Sequence, residues 1–282
     1  MLKIAIPNKG SLSEGAVKLL KEAGYKCKRS GRELMVTDVK NEIEFVFLRP
    51  RDIAVYVGNG MLDLGITGRD LAFDGDADVA ELLGLNFGKS RFFYALPKES
   101  ELTPDGFNGM RIATSYPKIV LDDMKTRGLN VEVVKLDGAV EISIKLGVAD
   151  AIADVVESGR TLVEAGLKTV GEPIMKSEAI IVARDSSVAD RPEIKTILAR
   201  IEGILVARTH AMVEYDVPKS VVEAACKITP GIEAPTIAPL ANDGWVAVKS
   251  MVDSSDTNRI MDELKELGAK GIFVTEIKSC RL

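Results

Sequence analysis

A short apolar run that passes through a small glycine-containing loop into a helical pattern occurs twice in this chain. The clearer copy is Ala151–Val156, followed by the polar loop Glu157–Thr161 and a helical pattern from Leu162. Gly60–Asp63 matches Gly147–Asp150, Gly68–Leu71 matches Gly159–Leu162, and Ile4–Ile6 matches Ile112–Thr114 further upstream. Because these matches keep their order along the chain, they predict two similar α/β lobes with ligands bound in the cleft between them.

The loop Glu157–Thr161 has the chemistry of an anion site. Its backbone N–H groups and the first turn of the helix point at one place, where the helix dipole favours negative charge. Ser158 and Thr161 add hydroxyl donors, and Gly159 allows a positive φ or a close approach of the backbone. Carboxylates stand upstream at Glu141, Asp150 and Asp154. A phosphorylated sugar with a metal-bound pyrophosphate suits this arrangement. The alternative is an ordinary strand–turn–helix with solvated acids.

Basic residues follow two predicted strands of the first lobe. Lys9 lies in the loop after the strand Leu2–Ile6, and Arg49 and Arg51 follow the strand Glu44–Leu48. Loops at strand ends are the usual ligand-binding positions in open α/β sheets, and paired arginines can grip a polyphosphate. Solvated surface charges remain the alternative for all three. In the second lobe, Tyr116 follows a strand at a position where its ring can stack on a base or fill the rim of the core.

Composition restricts the chemistry further. The net charge of −5 over 282 residues argues against nucleic-acid binding as the main role, and the apolar runs are too short for a membrane span. Three widely spaced cysteines fit a reducing cytoplasm rather than a disulfide framework or a zinc site. The chain has one histidine, His210, which lies at the end of a helical pattern and far in sequence from the other motifs. This excludes catalysis by a Ser-His-Asp or Cys-His arrangement. Any reaction must therefore rely on carboxylates, charge placement and backbone dipoles.

The last part of the chain reads as a separate unit. A helix predicted over Asp190–Thr209 leads to Ala211–Leu282, where the pattern is βαββαβ, which is typical of a ferredoxin-like fold. Such units often bind small effectors or assemble subunits, and the fold alone does not distinguish these roles.

Taken together, these motifs resemble the ATP phosphoribosyltransferase family over nearly the whole chain. The matching segments are Asn8–Leu12, Ala113–Pro117, Gly138–Glu141, Gly147–Asp154 and Ser158–Leu162, with Pro230-Gly231, Pro235-Thr236 and Pro239-Leu240 in the tail. The chain departs from the family pattern where Ser11 replaces an arginine, Ala139 replaces a serine, and Ile142–Lys145 replaces an Ala-Pro sequence.

The resemblance implies a fold, a reaction and a set of partners. The fold is two periplasmic-binding-protein-like α/β lobes with a cleft, plus a C-terminal ferredoxin-like (ACT-like) βαββαβ domain. Lobe I would be residues 1–90 and 180–208, lobe II 91–179, and the regulatory domain 209–282. The reaction joins N1 of ATP to the ribose of phosphoribosyl pyrophosphate with Mg²⁺, in the first step of histidine biosynthesis. Histidine would inhibit a cytoplasmic homo-oligomer, a dimer or hexamer, that binds neither nucleic acid nor membrane.

The resemblance also suggests roles for individual residues. Asp154 and Glu141 would be catalytic, and Asp154 with Asp150 would face the metal. The sugar phosphate would be bound by Asp154, Glu157, Ser158, Gly159, Arg160 and Thr161. ATP or pyrophosphate would meet Lys9, Arg49, Arg51, Asp70 and Tyr116. Two rivals stay open: a two-lobed protein that only binds or senses a small molecule, and a phosphoribosyltransferase for another base.

Overall fold

The computed structural model of the protein describes residues 1–29, 31, 33–156 and 159–281. These residues divide into two units, Met1–Ile194 and Lys195–Leu282. Within the described ranges, no helix is both long enough and apolar enough to cross a membrane.

The first half of unit one forms a mixed sheet from strands that are almost continuously apolar. The strands are β1 (Leu2–Pro7), β2 (Met35–Asp38), β3 (Ile43–Leu48), β4 (Leu64–Gly68), β5 (Ala80–Gly84) and, from later in the chain, β11 (Ala179–Ala183). Their spatial order is β2-β3-β1-β4-β11-β5. The helices of this lobe are α1 (Gly10–Glu22), α2 (Pro50–Gly58) and α3 (Arg69–Asp74). All five residues of β4 and of β11 are buried, as expected for strands covered on both faces.

A second sheet forms the other lobe of unit one. Its strands are β6 (Ser90–Pro97), β7 (Arg111–Thr114), β8 (Glu132–Lys135), β9 (Ala151–Val156) and β10 (Leu167–Ser177), in the spatial order β10-β6-β9-β7-β8. The helices are α4 (Pro117–Thr126) and α5 (Arg160–Glu164). Successive residues of β9 serve two core clusters: Ala151 and Ala153 pack with α4, while Ile152 and Val156 pack with Leu162 of α5. The predicted pair of α/β lobes is confirmed.

The strand ends of both lobes meet where the chain passes from one sheet to the other. β1, β3 and β4 run parallel, as do β7, β8 and β9, so their carboxyl ends lie at one edge of each sheet. The sequence suggested Ser90–Pro97 and Ala179–Ala183 as strands crossing between lobes. Each instead belongs to one sheet, and the crossings are residues 85–89 and Glu178. The residue after β4 contacts the second of these connections, because the N–H of Arg69 donates to the carbonyl of Glu178 at 3.0 Å.

The second unit has the predicted ferredoxin-like topology. After α6 (Pro192–Thr209) come β12 (His210–Pro218), α7 (Val222–Ile228), β13 (Thr236–Pro239), β14 (Trp245–Asp253), α8 (Thr257–Glu266) and β15 (Lys270–Glu276). The antiparallel sheet has the order β13-β14-β12-β15. Alternate residues of β12, among them Val213 and Tyr215, pack with Ile260 and Leu264 of α8. The βαββαβ prediction is confirmed.

This unit begins at Lys195, inside α6, earlier than the domain start at 209 that the sequence suggested. Part of α6 is tied to the chain terminus: the backbone N–H of Cys280 donates to the carbonyl of Gly203 at 3.2 Å. A Cβ on Gly203 would lie 2.0 Å from the Cys280 carbonyl oxygen, so only glycine allows this approach. The three domain boundaries stay predictions.

Candidate functional site

The loop after β9 has the backbone that its glycine suggested. Gly159 precedes α5 in the left-handed conformation, with φ at +72°, and the exposed Thr161 lies in the first turn of the helix. Arg160 is exposed and pairs with Glu164 one turn later. Glu157 and Ser158, both predicted to bind the sugar phosphate, lie outside the described residues. The start of α5 carries the positive end of the helix dipole, which favours an anion there.

Asp154 lies in β9, two residues before its carboxyl end at Val156. Burial raises the pKa of its carboxyl group above the ordinary value. The N–H of Val155, which donates to Asp154 Oδ1 at 2.7 Å, acts in the opposite direction. The negative charge of Glu141 raises this pKa further and the positive charge of Arg51 lowers it. A half-buried carboxylate with a second acid nearby is the kind of group that stabilises positive charge on a substrate.

Glu141, whose charge acts on Asp154, lies in a short 3-10 turn, Val140–Ile142. The residue before this turn, Ala139, has φ at +49°, a left-handed conformation that costs a non-glycine residue roughly 1–2 kcal/mol. Val140 is buried and anchors the turn in the core next to Ile152. The structure thus brings together the two acids predicted as catalytic, and it holds one of them with local backbone strain.

Asp150 lies apart from these two acids, and its role beside the metal stays a prediction. It precedes β9, whereas Asp154 lies about 13 Å further along the strand at roughly 3.3 Å per residue. Its carboxylate forms a two-pronged pair with Arg111, at 2.7 Å to Nη2 and 3.2 Å to Nε. The Arg111 guanidinium holds the pKa of Asp150 below its usual value. Asp150 therefore forms an ion pair at the amino-terminal edge of the sheet.

Arg51 bridges the two lobes. From α2 it donates to Asp74 Oδ2 at 3.1 Å and to the carbonyl of Ser115 at 2.8 Å. Asp74, whose side chain is 5% exposed, accepts the backbone N–H of Lys118 at 2.9 Å through its other oxygen. An acid of lobe I therefore caps the first turn of α4 in lobe II. The guanidinium of Arg51, which was predicted to bind a polyphosphate, therefore binds protein groups in this structure.

Tyr116 lies under this bridge. The guanidinium of Arg51 stands 4.5 Å from the centre of the ring, and Phe92 packs edge-on at 5.2 Å between ring centres. Burial, and then the charge of Asp70, raises the pKa of the Tyr116 hydroxyl well above its ordinary value, so it stays protonated. One face of the ring is thus covered by protein. Tyr116 forms a wall of the cleft, and a base can stack only on what Arg51 leaves uncovered.

Asp70 connects the start of α3 to the strand that returns from lobe II. The hydroxyl of Ser177 donates to Asp70 Oδ1 at 2.8 Å, and the Asp70 N–H donates back to that hydroxyl at 3.0 Å. Both residues are buried. The Ser177 contact joins residues 107 positions apart, and local sequence patterns carry no signal for it.

The remaining predicted cations are open to solvent. Lys9 and Arg49 are exposed at the ends of β1 and β3, and within the described ranges neither side chain has a hydrogen-bond or ion-pair partner. Between them lies an acceptor that sequence reasoning missed. The side-chain oxygen Oδ1 of Asn8 is buried and has no partner among the described residues. A buried acceptor of this kind in a ligand-facing loop suits a donor on a bound molecule.

Metal binding by protein groups alone has little support in this region. Among the described residues, no group of three or more His, Cys, Asp or Glu side chains is placed to hold a metal ion. Among the described residues, Asp154 and Glu141 are the two acids that we consider as metal donors here. Such a sparse set fits Mg²⁺ held chiefly by phosphate oxygens and water, as Mg²⁺ commonly is.

We expect the substitution Asp74→Ala to weaken the protein without touching the loop after β9. It removes the cap of α4 and one anchor of Arg51, a loss of about 1–2 kcal/mol in the free energy of unfolding. Thermal denaturation should show a melting temperature lower by roughly 2–4 °C for each kcal/mol. Asp74→Asn keeps an oxygen for the Lys118 N–H and should recover most of the loss.

Asp76 provides the matched control for Asp74. Its side chain is 81% exposed and, among the described residues, its ion-pair partner is the Lys118 ammonium, at 3.2 Å. Asp76→Asn removes this charge and keeps a residue type that tolerates the positive φ of 49° at this position, so it should change the free energy of unfolding by no more than about 0.5 kcal/mol. Equal losses in Asp74→Ala and Asp76→Asn would show that the cap contributes nothing beyond a surface charge.

Known proteins resemble this chain over both units. A family model described as ATP phosphoribosyltransferase matches residues 49–203, and one described as HisG, C-terminal domain, matches residues 207–279. A relative named ATP phosphoribosyltransferase from Salinibacter ruber is 55% identical, covering 100% of both chains. One of the same name from Corynebacterium diphtheriae is 56% identical, again over 100% of both chains. The solved ATP phosphoribosyl transferase (HisG:HisZ) complex from Thermotoga maritima aligns with a TM-score of 0.63 and 28% identity, covering 73% of this chain and 98% of that one.

Proposed function

Because the chain belongs to the ATP phosphoribosyltransferase family, we propose that the loop after β9 and the acids Asp154 and Glu141 form its phosphoribosyl site. The protein transfers the 5-phosphoribosyl group of phosphoribosyl pyrophosphate to N1 of ATP, releasing pyrophosphate, in the first step of histidine biosynthesis. The proposal concerns which residues perform each part of this reaction.

The bond changes explain why carboxylates suffice. The bond from the ribose C1 to a pyrophosphate oxygen breaks, its electron pair leaves with that oxygen, and the lone pair of adenine N1 forms the new bond. Positive charge develops on the ribose ring as the leaving group departs. Asp154 and Glu141 supply negative charge at that ring, which favours the transition state over the ground state. N1 already carries a lone pair, so no histidine or other strong base is needed.

The 5-phosphate of the sugar belongs to the loop. The amides of Gly159, Arg160 and Thr161 and the hydroxyl of Thr161 donate to its oxygens, and the start of α5 adds a favourable dipole. Glu157 and Ser158 complete the proposed set on the basis of the family motif. Binding the phosphate five to seven residues beyond Asp154 sets the distance between the ribose ring and the two acids.

ATP belongs on the lobe I side of the cleft. Lys9 and Arg49 are solvent-exposed cations at neighbouring strand ends, and Asn8 Oδ1 is a buried acceptor with no partner among the described residues. The bridge of Arg51 over Tyr116, together with Asp70, forms the wall beside them. These groups can face a polyphosphate and an exocyclic amino group at once.

Mg²⁺, which this family uses, fits the donors present. Asp154 is the protein group we assign to it, with phosphate oxygens and water as the other ligands. When bound, the ion supplies charge neutralisation to the departing pyrophosphate. The contribution of Asp154 is to hold a carboxylate within reach of the ribose hydroxyls and the metal.

The second unit is assigned the role of a histidine sensor. This assignment rests on the resemblance of the tail to the long form of the family and on the match of residues 207–279 to the family's C-terminal domain. A homo-oligomer, dimer or hexamer, and a location in the cytoplasm are part of the same proposal. Cys27, Cys226 and Cys280 are free thiols, which agrees with a reducing compartment.

One observation carries the proposal most strongly: Asp154, a half-buried acid on which the charge of Glu141 acts, lies near the end of β9, five residues before the left-handed Gly159. The test mixes the purified protein with ATP, phosphoribosyl pyrophosphate and Mg²⁺ and follows release of pyrophosphate and formation of the nucleotide adduct. Adenosine replacing ATP should give little product, and added histidine should lower the rate. Absence of an adduct contradicts the proposed reaction, and a rate that histidine does not change contradicts the proposed sensor.

The pH dependence of this reaction offers a separate prediction. The ionised form of Asp154 is the active one, so the rate falls as the pH drops through its raised pKa. Glu141→Gln removes a charge that raises this pKa, and it should move the acid limb of the kcat profile to lower pH while reducing kcat. The measurement is kcat against pH for both proteins. An acid limb that stays in place, or moves to higher pH, would show that the charge of Glu141 does not raise the pKa that controls the rate.

A further inference from the structure

A basic pocket lies beside the two connections between the lobes, outside the residues assigned so far. Its cations are Arg69, Lys89, Arg91 and Lys176, and it encloses about 330 Å³. Val156, the last residue of β9 before the phosphate loop, forms part of its wall. The pocket is within the size range of small-molecule sites and opens next to the proposed phosphoribosyl site.

Two of these cations face each other across a strand pair. In the antiparallel pairing of β6 with β10, Arg91 lies directly opposite Lys176, and Arg91 on its other side lies opposite Val156 of β9. Directly opposite side chains lie about 4.5–5.5 Å apart at Cβ, where like charges destabilise a sheet. Lys89 adds a third positive charge one residue before β6 begins. An anion between these side chains would remove the repulsion.

The acids near the pocket do not neutralise this charge. Glu178 accepts from Arg69 at 3.3 Å and from the N–H of Asn86 at 2.8 Å, and Glu81 holds Arg69 at 2.7 Å. Arg69 is thus paired, and its pKa is raised by these contacts. Within the described ranges, Lys89, Arg91 and Lys176 have no acidic partner, although the whole chain carries a net charge of −5. Arg91 is held over the ring of Phe93, at 5.4 Å.

We propose that this pocket binds a condensed phosphate chain, with Lys89, Arg91 and Lys176 as its contacts. Arginine offers a planar fork and the lysines offer compact charges, which together suit the several oxygens of a diphosphate or triphosphate. The inference rests on the proposed function, because the loop after Val156 is what brings a phosphorylated substrate to this place. Two sources share the chemistry: the triphosphate of ATP and the pyrophosphate that leaves the ribose.

The test uses the full-length protein and the double variant Lys89→Ala/Lys176→Ala. Both side chains are exposed, so their removal spares the core. The matched control is Lys98→Ala/Lys168→Ala, which removes two exposed lysines at the opposite ends of the same strands, β6 and β10. Calorimetric titration with ATP, AMP and pyrophosphate, each without the sugar donor, gives dissociation constants for the three proteins.

We expect the pocket variant to bind ATP, pyrophosphate or both about tenfold or more weakly than the wild type, while its dissociation constant for AMP changes by less than about twofold. Weaker binding of ATP with unchanged binding of pyrophosphate assigns the pocket to the triphosphate. Weaker binding of pyrophosphate with unchanged binding of ATP assigns it to the leaving group. Raising the salt concentration should reduce the difference between wild type and variant, because exposed charges are screened. The control variant should bind all three as the wild type does.

Unchanged binding of both ATP and pyrophosphate in the pocket variant would overturn the proposal. The proposal would also fail if Lys98→Ala/Lys168→Ala lost as much affinity for these ligands as the pocket variant does. These outcomes differ from failure of the proposed function. If the wild type forms the nucleotide adduct and the pocket variant binds ATP and pyrophosphate as tightly as the wild type does, the proposed reaction stands and only the pocket proposal fails. If the wild type forms no adduct, the proposed reaction itself fails.

Discussion

Replacing Asp154 by asparagine is expected to lower kcat by about 10²–10³-fold while changing the KM for ATP little. The substitution keeps the size of the side chain and removes the negative charge that faces the ribose ring as positive charge develops there. Removing one well-placed electrostatic group from a buried site typically costs a factor of this order. Steady-state kinetics with each substrate varied in turn measure the effect. A kcat within about threefold of wild type would exclude Asp154 from the chemistry.

The same substitution should make the protein more stable at neutral pH. Folding raises the pKa of Asp154 chiefly by burial, so its ionised form is disfavoured in the folded state. The group stabilises the fold only below its unfolded pKa, and that contribution is lost as the pH rises through the folded pKa. Asp154→Asn should therefore raise the melting temperature at pH 7, and the gain should shrink toward acid pH. A lower melting temperature at pH 7 would contradict the assigned burial.

Asp150, which immediately precedes the same strand, provides the opposite control. Its pKa is lowered by Arg111, so its ionised form stabilises the fold above the ordinary pKa, and that contribution is lost as the pH falls. Asp150→Asn should lower the melting temperature slightly at pH 7, because this pair is partly exposed. Turnover should be close to wild type. A loss of turnover like that of Asp154→Asn would support the metal role that the family resemblance suggested for Asp150.

The second large effect is expected in the phosphate loop. Thr161→Ala combined with Gly159→Ala should raise the KM for phosphoribosyl pyrophosphate by about 10–100-fold, and the KM for ATP by less than about threefold. The hydroxyl of Thr161 is one phosphate donor, and alanine at a φ of +72° is strained by roughly 1–2 kcal/mol, which turns the amides away. Equal increases for both substrates would count against the loop.

Gly166 separates this specific effect from general strain. It lies just beyond the other end of α5 with φ at +76°, and an added Cβ would meet nothing within 4 Å. Gly166→Ala therefore imposes comparable strain on the same helix without changing its first turn. It should lower stability by a similar amount and leave both KM values near wild type. A matching rise in the KM for the sugar donor would attribute the loop effect to loss of the helix.

Sequence patterns predicted the architecture well because the signals involved are local. The two strand–loop–helix units, the left-handed capacity of Gly159 and the βαββαβ order of the tail all follow from short-range periodicity and glycine placement. The family motifs placed Glu141 near Asp154, and the charge of Glu141 acts on Asp154 in the structure. Asp150 differs from these two acids in its position: it precedes the amino-terminal end of β9, a difference that a list of nearby carboxylates does not show.

The missed features are contacts between lobes. Asp74 caps a helix that begins 43 residues later in the chain, from Asp74 to Pro117, and Ser177 meets Asp70 across 107 positions. Arg51 was expected to face a polyphosphate, and it covers Tyr116 and the Ser115 carbonyl instead. No local periodicity encodes such pairs, because they depend on how the strand-end loops of two sheets meet.

The most direct test is a crystal structure of the protein with phosphoribosyl pyrophosphate and Mg²⁺ bound. The account predicts that the terminal 5-phosphate lies against the amides of Gly159–Thr161, with the ribose hydroxyls or the metal at Asp154 and the pyrophosphate directed away from the loop. A 5-phosphate bound elsewhere, for example between Lys89 and Lys176, would contradict it.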